Sequence, residues 1–322
     1  MSTGLDAVGI AAAIGRGVAF LAARQLPSGE LPVLASGKPD PSVFPTALAA
    51  YSLSFAPEAA AVCARALDFL VAEMDPRALW RHWPRTHPHH HQLPPDTDDT
   101  ACASLALARA GRPFPDNRAR LLANRNRQGL FRTWIFTTAQ WRHPLVTWRF
   151  FRRTSARPSD ADAVVNANAL FYLGMRDETI VPATYLIDVV LRGREAACDK
   201  WYDNPFAVWY FLARALGRLG AGELISTKIE AATPATALDA ALAACALASC
   251  GRPADVTPLL AQQLPSGGWP AAALYHGGRL RRADGSYAEP HPDAPRWGSE
   301  ELTTAFAIEA LARHRGQGSE AR

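Results

Sequence analysis

The chain has 322 residues, 48% of them hydrophobic and 20% charged, a composition that supplies a sizeable buried core and excludes a disordered or collagen-like polymer. Its net charge of +4 comes from 34 basic residues against 30 acids. The bases are arginines except for Lys38, Lys200 and Lys228 and form no stripe, which argues against nucleic acid as a partner, and no run reads as long enough to span a bilayer.

From the N-terminus, an amphipathic stretch at 6–24 leads into the loop QLPSGEL from Gln25 to Leu31, and then into an alanine-rich apolar segment beginning near Thr46. Comparable apolar segments begin near Thr100, Asn166, Phe206, Ala240 and Thr304. Further amphipathic stretches lie at 57–74, 116–124, 180–193, 213–225 and 255–262. Apolar residues recur at spacings of three and four and β-branched runs are sparse, so each segment reads as a helix. Six all-round apolar helices alternating with six amphipathic ones predict an inner ring inside an outer ring, an all-α (α/α)6 barrel. No linker interrupts the pattern, so residues 1–322 are expected to form one domain. The loops at about 75–95 and 270–298 are long for a compact domain and are expected to serve as lids.

Internal repetition supports this layout. The segment DTACASLALARAGRP from Asp99 recurs as DAALAACALASCGRP from Asp239. A leucine-rich stretch follows each copy, and then a related loop: a degenerate RxxxGxF from Arg125 to Phe131, and QxxxGxW from Gln263 to Trp269. The Gln25 loop shares QLPSG with the latter. A solenoid used as a binding scaffold would show a more regular period. Five scattered cysteines, an odd number, read as buried thiols of a reducing compartment, and the N-terminus lacks a basic leader. A cytoplasmic location is expected.

Asp96, Asp98 and Asp99 place three carboxylates within four residues at the start of an apolar helix. Alone, such a cluster caps a helix and complements its dipole. At the mouth of an inner-ring helix it opens instead into the barrel's end cavity, where three crowded carboxyls cannot all ionise near neutral pH. One then remains an acid.

At this point the sequence resembles the class II terpene cyclases, which include squalene-hopene cyclase and the diterpene cyclases. Asp96 to Ala101 matches their DxDDTA motif, and Gln263 to Trp269 matches their QW repeat. The resemblance implies that Asp98 protonates an isoprenoid alkene or epoxide while Asp96 and Asp99 orient and polarise it. Such an acid must be rigid and dry, and the cation it creates is stabilised by aromatic faces. The aromatic candidates are Trp201, Tyr202 and Trp297, near inner-helix N-termini on the acid side, followed by Trp141 and Trp148.

His82, His87, His89, His90 and His91 crowd the segment before the acids. Pro88 interrupts them and no HxxxH or paired-cysteine spacing is present, so no metal site is expected. His91, nearest in sequence, is the candidate for a histidine that sharpens Asp98, a role resembling that of a histidine in the triterpene cyclases. Arg142 and Arg149, with Arg152 and Arg153, suit a diphosphate clamp or a solvated rim. No cofactor is expected, with Mg²⁺ entering only for a diphosphate substrate.

The partner expected is a small isoprenoid. The family usually places its site between two barrels, and this chain has length for one, so the mouth is expected to be closed by the two long loops or by a second copy in a homodimer. Two other readings stay open: a non-catalytic isoprenoid-binding scaffold, and a carbohydrate-active (α/α)6 enzyme pairing Asp98 with Glu300 or Asp203.

Overall fold

The computed structural model describes residues 3–136 and 144–320. Six helices form the inner ring: α2 (Val43–Leu53), α4 (Thr97–Arg109), α7 (Ala163–Leu173), α9 (Pro205–Leu216), α11 (Ala237–Ser249) and α13 (Glu300–Glu320). Each packs against the next and α13 returns to α2, which closes the ring. Every residue of α2 is buried, and so is every residue of α9 after Pro205. Alanine-rich faces such as Ala47, Ala49 and Ala50 let neighbouring backbones approach closely enough for this. The outer ring comprises α1 (Thr3–Arg24), α3 (Ala60–Glu73), α5 (Arg118–Ala123), α8 (Ile180–Leu191), α10 (Gly222–Glu230) and α12 (Thr257–Ala261). The fold is the (α/α)6 barrel.

Four features depart from the sequence reading. The outer helix expected at 213–225 is the end of α9, a tight turn through Gly217–Ala221 and then α10, because Gly220 takes a positive φ of 92° that breaks the helix. A ten-residue helix, α6 (Pro144–Arg153), precedes α7. The chain also carries a four-stranded sheet in the order β2-β1-β4-β3, made of β1 (Leu34–Ala35), β2 (Lys38–Pro39), β3 (Ala273–His276) and β4 (Arg296–Gly298). It fastens the expected 270–298 loop to the segment before α2. One window of α1, Ala7–Arg24, is long and apolar enough to cross a membrane by length and composition. That corrects the expectation that no run reaches that length; Ile10, Ala13, Ile14 and Leu21 of this window are buried, and the helix packs on α13 and α3.

Among the described residues the repeated loops build four equivalent corners anchored on inner helices, and the same turn at Arg282–Ser286 is anchored instead through Tyr287 N–H to the Ala197 carbonyl. In each, two backbone bonds close a tight turn, such as Leu264 N–H to Gly268 O at 2.9 Å and Gly267 N–H to Leu264 O at 2.9 Å. The same pair recurs at Leu26/Glu30/Gly29, Asp75/Leu79/Ala78 and Asn126/Leu130/Gly129. The residue closing each corner is Leu31, Trp80, Phe131 or Trp269. Its N–H donates to an inner-helix side chain: Thr46, Thr100, Asn166 or Thr304, at 2.8–3.2 Å. Trp80 and Trp269 also donate their indole N–H groups, to Leu70 O and Leu259 O at 2.7 Å. The corner at Trp80 leaves no repeat in the sequence because Met74 and Ala78 stand where glutamine and glycine would mark it.

Candidate active site

The motif that begins α4 is a working N-terminus. Asp96 is the N-cap, its Oδ1 accepting the Asp99 N–H at 2.7 Å, and Thr100 is committed to the Trp80 corner. This leaves Asp98, in the first turn, to face inward. A cavity of about 610 Å³ adjoins it, and all three aspartates of the motif line that cavity.

The wall is built from the ring and its cap. Trp201 and Tyr202 come from the segment before α9, Trp134 from the segment after α5, Phe44 from α2 and Phe150 from α6. Tyr275 and Trp297 are register partners on β3 and β4, with rings stacked at 5.2 Å and 10°. Hydrogen bonds at their polar edges hold two of these rings in place: Trp201 Nε1 donates to Asp162 Oδ2 at 3.2 Å, and Trp297 Nε1 to Asp40 Oδ2 at 2.6 Å. Each ring thereby keeps a fixed orientation, with its carbon surface available to the cavity. Both long loops contribute lining residues, the first through His82, Trp83 and Leu93 and the second through Tyr275 to Trp297.

Electrostatics single out Asp98. Burial, reinforced by the neighbouring Asp96 charge, lifts its pKa from 3.8 to about 8, against the lowering effect of the Asn168 hydrogen bond. It is therefore largely protonated at pH 7. Burial raises Asp96 to about 6, and burial beside the Asp96 charge raises Asp99 well above the usual range. Asn168 Nδ2 donates to Asp98 Oδ1 at 2.5 Å, and the Tyr202 hydroxyl lies 3.4 Å from Oδ2. The arrangement is a neutral carboxylic acid at the edge of an aromatic cavity whose lining also includes His82, His276, Glu289 and His291.

No family model matches the chain, and neither does any curated protein. Solved structures do. Type II terpene cyclase MstE from Scytonema superposes with a TM-score of 0.67 at 15% identity, over 96% of this chain and 99% of that one. Its complex with the product merosterolic acid A gives 0.69 at 15% identity, over 97% and 99%. A protein from Actinoplanes gives 0.67 at 18% identity, over 95% and 99%.

The fold is that of the type II terpene cyclases.

Within this cyclase fold, the expected site residues separate into groups. Asp96, Asp98, Asp99, Trp201, Tyr202 and Trp297 meet at one cavity. His91 does not reach it: the side chain is exposed and its ring packs edge-on to His90 at 4.8 Å. Trp148 is 53% exposed, with Arg152 over its ring at 4.7 Å, and Arg149 is exposed beside it; α6 turns Phe150 and Arg153 toward the cavity instead. Trp141 and Arg142 lie outside the described residues. Asp203 and Glu300, the second carboxylates of the carbohydrate reading, do not line the cavity, and Asp203 pairs with Arg296 at 3.1 Å.

The histidine cluster is a stacked loop. Trp83 lies on His87 at 5.2 Å and 7°, His87 Nε2 meets Asp40 Oδ1 at 3.1 Å, and His90 Nδ1 meets Trp83 O at 2.8 Å. Only His82 of the five lines the cavity, where burial lowers its pKa to about 4. It is a neutral edge among aromatic rings there. Among the described residues no group of three or more His, Cys, Asp or Glu side chains is placed to hold a metal ion.

Sequence reasoning passed over Asn168 and Arg214. The signal was available: each is a polar residue inside an otherwise apolar inner helix, AVVNANALFYL and PFAVWYFLARAL, and buried polar groups require partners.

Proposed function

We propose that the protein is a protonation-initiated terpene cyclase acting on an isoprenoid chain. The observation that carries this reading is the neutral Asp98 carboxyl at the edge of a cavity walled by Trp134, Trp201, Tyr202, Tyr275 and Trp297. The O–H bond of Asp98 breaks as a C–H bond forms at a terminal alkene carbon, or as an epoxide oxygen takes the proton. The cation formed is attacked by internal double bonds, and proton loss ends the sequence. Aromatic faces stabilise the successive cations without capturing them, and the dry wall withholds water.

The cavity volume falls within the roughly 300–1,000 Å³ of small-molecule sites, which favours chains of ten to twenty carbons. MstE was solved with geranylgeranyl dihydroxybenzoate as substrate, and a prenylated arene of that class is our leading candidate beside the prenyl diphosphates. The proton comes from the protein, so the reading calls for no cofactor; Mg²⁺ would serve only to neutralise a diphosphate. Five free cysteines support a cytoplasmic setting.

The test is incubation with geranyl, farnesyl and geranylgeranyl diphosphates and with prenylated hydroxybenzoates, followed by mass-resolved chromatography. The expected product is a cyclic isomer of unchanged mass that keeps its head group. Recovery of every substrate unchanged would leave an isoprenoid-binding scaffold.

A further inference from the structure

A buried polar column runs away from Asp98 into the ring. Asn168 donates to Asp98 Oδ1 at 2.5 Å, and the Oδ1 of the same amide accepts from Arg214 Nη2. Arg214 Nη1 reaches the Tyr210 hydroxyl at 3.4 Å, which donates to Glu309 Oε2 at 3.1 Å. Ser52 donates to the same carboxylate oxygen at 2.8 Å, and Arg313 Nη1 to Glu309 Oε1 at 2.9 Å. The Arg214 guanidinium is enclosed by four rings, Tyr51, Phe171, Tyr210 and Phe211, at 4.7–5.1 Å. A cation this deep is costly unless it is held for a purpose or well paired, and Glu309 already has Arg313.

We propose that Arg214 is a positioning residue for the acid: it locks the Asn168 amide with its NH₂ toward Asp98 Oδ1, leaves Oδ2 to carry the proton, and offsets the carboxylate that forms when the proton departs. The inference rests on the cyclase reading above and deepens it. An amide can flip, and a flipped Asn168 would present its oxygen to Asp98 and hold the acidic proton back. With Arg214 donating to that oxygen, the flip would leave two donors facing each other. Charge points the same way. Arg214 and Arg313 against Glu309 leave the column with one surplus positive charge while Asp98 is protonated, and that charge is balanced once Asp98 ionises. On the other side, the neighbouring Asp96 carboxylate repels a second negative charge and holds the proton on Asp98. Asp98 sits between these opposing fields.

The titratable groups around Arg214 are Tyr51 from α2, Asp98 and Cys102 from α4, Tyr210 from α9, Cys245 from α11 and Glu309 from α13. Burial raises the thiols and phenols above their ordinary values. Asp96, raised to about 6, and Glu30 and Asp199, raised to about 7, also titrate near neutrality, so the Asp98 signal is identified by its loss in Asp98→Asn.

The experiment compares wild type, Arg214→Gln and Asn168→Leu by kinetics and by infrared spectroscopy of the protonated carboxyl band, assigned by its loss in Asp98→Asn. Both variants are expected to lose on the order of tenfold to a hundredfold in kcat with KM little changed. The Asp98 band should persist to higher pH in each, because the carboxylate has lost its stabilising partner. Wild-type kcat, or an unmoved band in folded variants, overturns the proposal. Failure of both variants to fold also overturns it, in favour of a structural role for the cation. A wild type that turns over no isoprenoid defeats the cyclase reading instead, while the infrared shift still reports on Arg214.

Discussion

The native chain holds a proton at Asp98 that an unfolded chain releases, since burial carries its pKa from 3.8 to about 8. Two consequences follow with definite signs. On the proposed mechanism the reaction uses the protonated form, so its rate should be level below about pH 8 and fall tenfold per unit above it. Between about pH 4 and 8 the folded state binds more protons than the unfolded state, so this group makes stability decline as pH rises. Asp98→Asn removes that burden and should raise the melting temperature at pH 8 by more than at pH 4, with a gain on the order of 1 kcal/mol or more at the higher pH. Equal gains at both pH values would deny the buried proton. The acid itself was legible in the sequence, because three carboxyls before an apolar helix cannot all ionise. Its support was not. Asn168 reaches Asp98 from the neighbouring α7, Arg214 reaches Asn168 from α9, and nothing local to the aspartate motif specifies either.

At the scale of elements, the corner loops show how one geometry tolerates different residues. Gly267 sits at φ +93°, and a Cβ there would meet the Arg16 carbonyl oxygen at 2.5 Å. Gly267→Ala should destabilise the fold by at least about 2 kcal/mol. The equivalent corner residue Ala78 already holds a positive φ of 55° with its side chain fully buried. Ala78→Gly relieves that conformation at the expense of chain entropy, and should range from neutral to about 1 kcal/mol stabilising. Urea denaturation of the pair checks the contrast; a greater loss from Ala78→Gly than from Gly267→Ala would contradict the equivalence. Inner helices were readable because all-round apolar segments of eleven or more residues have one stable place, the centre of the ring. The sheet was not, since strands of two to four residues carry no periodic signal, and the turn at Gly220 fell inside a stretch whose spacing looked continuous.

For the whole molecule, the ring supplies the acid and the cap supplies most of the aromatic wall. Wall and acid therefore vary separately. Trp201→Leu removes a ring that lies edge-on to Trp134 at 6.0 Å; it should reduce turnover modestly while increasing the share of partly cyclised products, because later cations lose their stabilising face. An unchanged product mixture would remove Trp201 from that role. The barrel was legible from alternation and repetition, whereas the cavity's walls were only partly so: Trp201 and Trp297 lie on it, Trp148 faces solvent, and His91 yields to His82. Contacts that join a loop to a distant helix leave no pattern in a single sequence. The most direct measurement is cyclisation in deuterium oxide by wild type and Asp98→Asn, with products read by mass. Proton donation by Asp98 predicts one deuteron incorporated at the initiating carbon in the wild-type product, with no product from the folded variant. A cyclic product free of deuterium, or equal product from the variant, would contradict it.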